Sequence, residues 1–134
     1  MIVVDTSVWI DFFRAADTWQ VHRLTQQLDA DQPIALTDIV FTEVLQGVRD
    51  ERAVRRVERR LLAHDLLTLE PLADHRRAAR LYRICRRKGV TIRRTLDCLI
   101  ASVCIRERVP LLHADADFDR LATHTSLRVV RAGR

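Results

Sequence analysis

The chain has 134 residues, of which 48% are hydrophobic and 31% are charged, and its formal net charge is +5 at pH 7. This length suits one domain with a real core, and no apolar run approaches the roughly 20 residues of a membrane-spanning helix. The N-terminus has no basic stretch and no cleavable apolar segment, so we expect no export signal. The three cysteines are odd in number and form no Cys-x-x-Cys pair, which indicates buried, reduced thiols. We therefore expect one cytoplasmic domain over residues 1–134, without a membrane anchor.

Short apolar runs and amphipathic segments alternate along the whole chain. Strands are predicted at residues 1–4, 34–36, 66–69 and 110–113, with a candidate last strand at 127–130. Helices are predicted at residues 8–14, 19–30, 39–46, 51–64, 73–88 and 96–106, and from Asp117 or Asp119 to about 123. Their N-caps are expected at Thr6 or Ser7, Asp17 or Thr18, Thr37 or Asp38, and Thr95, and two of their ends at Gly47 and Gly89. This alternation predicts a three-layer α/β/α domain with a central, mainly parallel sheet.

Four acids stand where a purely structural acid is unfavourable: Asp5, Glu43, Asp97 and Asp115. Asp5 and Asp115 each follow an apolar strand, and Glu43 lies inside an apolar helix. Asp97 lies in the first turn of a helix that is apolar nearly all round. Because the carboxyl ends of parallel strands meet at one edge of a sheet, these acids are expected to converge there. Two carboxylates about 4 Å apart repel by roughly 1 to 4 kcal/mol, so such a cluster requires protonation or a cation.

Oxygen ligands of this kind favour Mg²⁺ or Mn²⁺ over softer metals. Such a site suits hydrolysis of a phosphodiester, because the metal lowers the pKa of a bound water and neutralises charge in the transition state. No nucleophilic side chain is evident, and Thr6 and Ser7 are expected to cap a helix or to hold a metal-bound water. Taken singly, Asp97 is also compatible with a helix N-terminal charge, Asp115 with a turn or cap, and Glu43 with an outward-facing position.

Four short segments then carry a pattern in a fixed order. They are Val-Val-Asp-Thr-Ser at 3–7, Phe-Thr-Glu-Val-Leu-Gln-Gly at 41–47, Asp-Cys-Leu-Ile-Ala at 97–101 and His-Ala-Asp-Ala-Asp-Phe at 113–118. Together they resemble the PIN-domain ribonucleases, and more narrowly the VapC toxins of bacterial VapBC toxin–antitoxin systems, over nearly the whole chain. The resemblance implies a PIN-like fold whose acidic metal site consists of Asp5, Glu43, Asp97 and Asp115, with Asp117 as a candidate fifth ligand.

The resemblance also implies partners: a homodimer, and a cognate VapB-like antitoxin that keeps the toxin silent in a hetero-oligomer. In that family, part of the antitoxin lies in an apolar groove on the toxin, and a basic side chain often approaches the acidic pocket. Candidates for such a groove, with core packing as the alternative, are Trp9, Phe12, Phe13 and Trp19. Candidates for RNA contact are Arg93, Arg94 and His113. Many relatives carry Thr or Ser at the position of His113, so packing or capping is its alternative, and solvated loop charge is the alternative for the two arginines.

The expected function is a metal-dependent endoribonuclease toxin that is neutralised by an antitoxin. The alternative is a non-catalytic basic RNA- or protein-binding module with a vestigial acidic site. Phosphoryl transfer to an aspartate is disfavoured, since haloacid-dehalogenase-like phosphatases need a second Asp where Ser7 stands. Receiver domains need a strand-end lysine, whereas Lys88 lies in a predicted helix tail.

Overall fold

A four-stranded parallel sheet forms the centre of the protein. The computed structural model describes residues 1–133. The strands are β1 (Ile2–Val4), β2 (Ile34–Thr37), β3 (Asp65–Leu67) and β4 (Leu111–Leu112). They lie side by side in the order β3-β2-β1-β4, and every pairing is parallel. The predicted α/β class with a parallel sheet is confirmed.

Seven α-helices flank the sheet. They are α1 (Thr6–Phe13), α2 (Trp19–Asp29), α3 (Asp38–Gln46), α4 (Val54–Leu62), α5 (Ala73–Arg87), α6 (Thr95–Glu107) and α7 (Ala116–His124). A short 3-10 turn, Glu51–Ala53, precedes α4, so the single helix predicted at 51–64 was wrong in its first turn. β1 runs directly into α1 and β2 directly into α3, which places both helix N-termini at the carboxyl edge of the sheet.

Two of the acids singled out in the sequence cap helices at this edge. Asp5, rather than Thr6 or Ser7, caps α1, because its carboxylate accepts a hydrogen bond from the Ser7 amide at 3.2 Å. Asp115 caps α7 by accepting from the amide of Asp117 at 2.9 Å. The cap predicted at Thr95 was wrong, since Thr95 is the first residue of α6 and no side chain caps that helix.

The other boundaries follow the sequence signals closely. Thr18 and Thr37 cap α2 and α3 through their hydroxyl groups, at 3.1 Å in each case. α3 ends at Gly47, and α5 ends just before Gly89. Gly89 adopts a φ of +79°, a backbone conformation that favours glycine. The candidate last strand is reduced to a single parallel bridge between Leu111 and Val129.

The core is continuous from the sheet to α6. Every residue of β1, β2 and β4 is buried, and Ile100, Ala101, Val103 and Cys104 bury one face of α6 completely or almost so. All three cysteines are free and buried, as predicted, and burial raises the pKa of the Cys98 thiol to about 12. No helix in the part of the chain that the structure describes is long and apolar enough to cross a bilayer.

A buried ion-pair network that the sequence did not suggest joins α5 to α6. The fully buried carboxylate of Asp74 accepts from the Ser102 hydroxyl at 2.7 Å, the Glu70 amide at 2.8 Å and Arg106 Nη2 at 3.1 Å. Burial raises the pKa of Asp74, but these donors outweigh that cost and hold the pKa below its usual value. The network fixes α6, and with it the position of Asp97 at the other end of the helix.

Candidate active site

Asp5 lies at the carboxyl end of β1, where the prediction placed it, and is only 5% exposed. Ser7 Oγ donates to its carboxylate at 2.6 Å and accepts from the Ala114 amide at 3.1 Å. Ser7 therefore ties the end of β1 to the loop that follows β4. Burial raises the pKa of Asp5, and the hydrogen bonds from Ser7 oppose this only in part. The carboxylate is thus held in one orientation in a place where its charge is costly.

Asp97, in the first turn of α6, is 2% exposed, and its Oδ2 atom has no hydrogen-bond partner among the described residues. Its Oδ1 lies 3.8 Å from Arg94 Nε. Burial raises the pKa of Asp97 to about 7, Arg94 opposes the rise, and the charges of Asp5, Asp115 and Glu43 add to it. The four predicted acids are therefore close enough to act on one another electrostatically, although they come from four separate elements.

Glu43 reaches the same pocket from α3. Its Oε1 accepts from the Thr6 hydroxyl at 2.8 Å, and its Oε2 pairs with Arg94. Arg94 thus lies between Glu43 and Asp97. Partial burial lowers the pKa of Arg94, but the two carboxylates outweigh this and raise it. The guanidinium therefore supplies positive charge between these two acids.

Asp115 and Asp117 form the side of the pocket next to α7. Asp115 is partly exposed, with Arg93 Nη2 at 3.5 Å from its carboxylate. Asp117 is 1% exposed and accepts from the Arg93 amide at 3.1 Å, Arg93 Nε at 3.2 Å and Arg120 Nη1 at 2.5 Å. Burial would raise the pKa of Asp117, but these bonds lower it. Asp117 is fully used in joining the loop before α6 to α7, so in this arrangement it offers no free ligand atom.

The three candidates for RNA contact lie against the acids and not away from them. The Arg93 side chain remains 70% exposed while it contacts Asp115 and Asp117. His113 is buried: its Nδ1 accepts from the Asp115 amide at 3.0 Å, and its Nε2 lies 3.2 Å from Asp119 Oδ1. This placement favours the packing alternative for His113, because both ring nitrogens are occupied inside the protein.

The four aromatic candidates divide between the core and two surfaces. Trp9 is 1% exposed and stacks on Phe13, which corrects its assignment to a surface groove. Phe13 lines an open, largely apolar groove of about 520 Å³ between α1, α3 and α4. Phe12 is half-buried beside it, with the Arg60 guanidinium 5.2 Å from its ring centre. Trp19 is 38% exposed on α2 and borders a different cavity, so it does not belong to this groove.

Sequence reasoning missed four apolar residues that complete the groove: Ile10, Val44, Val48 and Val57. Arg14 and Arg49 stand at its rim. Ile10 and Val44 follow the helical spacing of their neighbours, so the signal was present but did not distinguish the groove from the core.

The pocket offers carboxylate oxygens, which are the kind of ligand that a divalent cation binds. Among residues 1–133, no three His, Cys, Asp or Glu side chains stand close enough together to form a metal site as they are placed. Arg94 and Arg93 instead bridge the acids in pairs. Even so, the ligand atoms are all carboxylate oxygens, and the buried Asp97 Oδ2 has no other partner. A hard cation is the partner such atoms prefer, and Arg94 is exposed enough to leave them.

The fold and the pocket together define a class: an α/β/α domain with acids from separate elements gathered at the carboxyl edge of a parallel sheet. The family model described as PIN domain matches residues 2–123. The chain belongs to the PIN-domain family.

Two relatives and one solved structure extend this finding. VapC ribonuclease Mb1587 of Mycobacterium bovis and Ribonuclease VapC11 of Mycobacterium tuberculosis are each 37% identical over 131 residues, which cover 96% of this chain and 96% of theirs. The crystal structure of VapBC2 from Rickettsia felis bound to a DNA fragment from their promoter superposes with a TM-score of 0.75 and 20% identity. That match covers 97% of this chain and 98% of the other, so the same fold extends along both chains.

Proposed function

We propose that this protein is a divalent-metal-dependent endoribonuclease toxin that a VapB-like antitoxin restrains. The observation that carries the proposal is the pocket itself, in which Asp97 keeps an unpartnered buried oxygen beside the charges of Asp5, Glu43 and Asp115. The relatives at 37% identity are named ribonucleases, and their identity extends over almost the whole chain. The combination favours a working acidic site over a remnant of one.

In this proposal Asp5, Glu43, Asp97 and Asp115 would hold Mg²⁺ or Mn²⁺. When bound, such an ion activates a water and offsets the charge that develops on the scissile phosphate. The chain itself supplies positioning: Ser7 fixes Asp5, and the Thr6 hydroxyl fixes Glu43.

Two further parts of the pocket complete the arrangement. His113 holds the backbone that carries Asp115, through the bond from the Asp115 amide to its Nδ1. Arg93 and Arg94 stand at the pocket mouth, where their guanidiniums can meet RNA phosphates once their carboxylate partners bind the cation. Asp117 remains a candidate ligand only if Arg93 and Arg120 release it.

The experiment is RNA cleavage by the purified protein. We expect EDTA to abolish cleavage, Mg²⁺ or Mn²⁺ to restore it, and Asp97→Asn to remove it while the far-ultraviolet circular dichroism stays unchanged. Asp29→Asn is the matched control, because Asp29 is exposed at the end of α2, away from the pocket. Undiminished cleavage by the Asp97→Asn protein would refute the role assigned to this acid.

One observation favours the second candidate, a basic binding module without catalysis. Arg93 and Arg94 already pair with Asp115, Glu43 and Asp97, so part of the negative charge of the pocket is offset without an ion. The same assay separates the two functions: a module of this kind binds RNA in EDTA and in Mg²⁺ alike and never cleaves it.

The antitoxin is expected to occupy the groove between α1, α3 and α4. The groove is apolar along Ile10, Phe13, Val44 and Val48, with arginines at its rim, so an amphipathic helix with acidic flanks fits it by shape and charge. The solved relative is a VapBC complex, which is the assembly we propose for this chain. A homodimer is also expected, and light scattering of the purified protein with and without antitoxin measures both assemblies.

A further inference from the structure

A second cleft, distinct from the acidic pocket, lies between α5 and α6. It has a volume of about 550 Å³, and its walls include Tyr82, Arg83 and Arg86 from α5 and Thr95 and Leu99 from α6. This volume falls within the range of pockets that bind small ligands, and it is large enough for one nucleotide.

The charge of the cleft is of one sign. Arg83, Arg86 and Arg93 line it, and no Asp or Glu occurs among the described residues of its walls. Arg83 and Arg86 are exposed and pair with no carboxylate among the described residues, so their guanidiniums are available to an anion, whereas Arg93 is shared with Asp115 and Asp117. The cleft therefore suits a ligand that carries phosphate, and it disfavours a peptide that is basic or has few acidic residues.

An aromatic ring stands inside this basic lining. Tyr82 is half-buried against the core, and the Arg86 guanidinium lies 5.7 Å from its ring centre. The guanidinium lies over the ring, and a tyrosine that packs against the core with an arginine above it offers planar aromatic and guanidinium surfaces on which an unpaired base stacks. A phosphate alone would need no such ring, so the lining points to a nucleotide.

Arg93 is shared between the cleft and the acidic pocket. It lines the cleft and at the same time contacts the carboxylates of Asp115 and Asp117. Thr95, also in the cleft wall, lies in the same first turn of α6 as Asp97, so the cleft and the acids meet at one end of this helix although the two side chains point to different faces. A strand that leaves the cleft at Arg93 therefore reaches the acids beside Asp115.

We propose that the α5–α6 cleft binds a nucleotide of single-stranded RNA next to the phosphodiester that is cleaved. Its base stacks on Tyr82, and its phosphates pair with Arg83 and Arg86. This inference rests on the proposed ribonuclease function and adds the place where the substrate strand is held. The two other possible occupants, a protein partner and a second copy of this chain, are outcomes of the test below.

The first experiment measures binding in EDTA, so that the RNA stays intact. The probe is a fluorescein-labelled, mixed-sequence RNA of roughly ten nucleotides, a usual size for a single-strand site. We expect Arg83→Glu/Arg86→Glu to weaken binding at least about tenfold and to lower the slope of log affinity against log salt by about 1.4, for two phosphate contacts. Tyr82→Ala should weaken binding roughly fivefold or more. Tyr82→Phe, which keeps the ring, should bind like the wild type.

The matched control is Arg76→Glu/Arg80→Glu, two charge reversals on the same helix at exposed positions outside the cleft. It changes the net charge of the protein as much as the double reversal in the cleft does. Melting temperatures within a few degrees of the wild type establish that each variant is folded, and the Tyr82→Phe protein tests whether the ring suffices without its hydroxyl group.

The second experiment follows Mg²⁺-dependent cleavage. The cleft variants should raise KM about tenfold and leave kcat within about twofold, since they bind the strand but do not touch the acids. The inference is overturned if Arg83→Glu/Arg86→Glu and Arg76→Glu/Arg80→Glu have equal effects on RNA affinity. It is also overturned if the cleft variants change only the oligomeric state or antitoxin binding while RNA affinity is unchanged. Failure of the ribonuclease function is a separate result, namely no metal-dependent cleavage by the wild-type protein that nevertheless binds RNA in the cleft.

Discussion

Replacing Asp97 by asparagine should stabilise the metal-free protein, and should do so far more at pH 8 than at pH 5. Burial is the main reason that the pKa of Asp97 rises from 3.8 to about 7, and the neighbouring acids add to it. Between pH 3.8 and about pH 7, the folded protein keeps a proton on Asp97 that the unfolded chain has released. The carboxyl group therefore costs stability progressively as the pH rises through this window, and the whole cost is present above pH 7.

The size of the effect follows from the pKa. One unit corresponds to about 1.4 kcal/mol, so the complete rise would cost about 4 kcal/mol. Water at the pocket mouth screens part of this, and we expect a gain of about 2 kcal/mol at pH 8 for the asparagine variant. For a domain of this length, that is roughly 6–10 °C in the melting temperature. Near pH 3 the two proteins should differ little, because Asp97 is then largely neutral in both states.

Urea unfolding in EDTA at pH 5, 6, 7 and 8 measures this difference, with Asp29→Asn as the control that should show no such trend. Adding Mg²⁺ at pH 8 should reverse the order, because an ion that binds only the folded wild type stabilises it by mass action. The reasoning is refuted if the difference in unfolding free energy between Asp97→Asn and wild type is the same at pH 5 and pH 8.

Three further predictions concern the other parts of the molecule. Arg94→Ala should raise the Mg²⁺ affinity several-fold in titration calorimetry, since the guanidinium competes with the ion for Glu43 and Asp97. The control Arg80→Ala should leave the Mg²⁺ affinity unchanged. Equal Mg²⁺ affinities of the Arg94→Ala and wild-type proteins would exclude that competition. Asp74→Ala should lower the unfolding free energy by about 2–4 kcal/mol in urea, because the Ser102 hydroxyl and the Glu70 amide lose their acceptor and Arg106 loses its buried carboxylate partner. A loss below about 1 kcal/mol would contradict this. Gly47→Trp should block antitoxin binding, because its side chain would fill the groove that Gly47 lines. Gly47→Ala should keep antitoxin binding, because an added Cβ there meets only ordinary contacts at 3.5 Å. Antitoxin binding by both variants would place the antitoxin elsewhere.

The strands and the four acids were predictable because their signals are local. A fully apolar run followed by a carboxylate marks a buried strand end, and parallel strands bring such ends to one edge. Asp5 and Asp115 follow this rule directly, and Asp97 follows it through the start of α6.

The pairings across the pocket were not predictable in the same way. Arg94 and Glu43 are 51 positions apart, and Arg93 and Asp117 are 24 apart, so no local spacing relates them. The assignment of Trp9 failed for another reason. α1 is apolar on nearly all sides, and hydrophobic periodicity then cannot tell a core face from a surface face.

The pairing of Arg93 and Arg94 with the acids gives the pocket a consequence for substrate binding. Each guanidinium has two possible anionic partners, a carboxylate of the pocket or a phosphate of the RNA, and it cannot satisfy both fully. An ion that binds Glu43 and Asp97 releases Arg94, and an ion on Asp115 frees the Nη2 atom of Arg93 while its Nε stays on Asp117.

Metal binding should therefore strengthen RNA binding, and by linkage RNA should strengthen metal binding by the same factor. The RNA affinity of the wild type, measured with Ca²⁺ on RNA that a gel shows to be intact, should rise several-fold over its value in EDTA. In Arg93→Ala/Arg94→Ala the rise should vanish, because no guanidinium is left to be released. A rise of equal size in the double variant would mean that the ion itself, and not the freed arginines, attracts the strand.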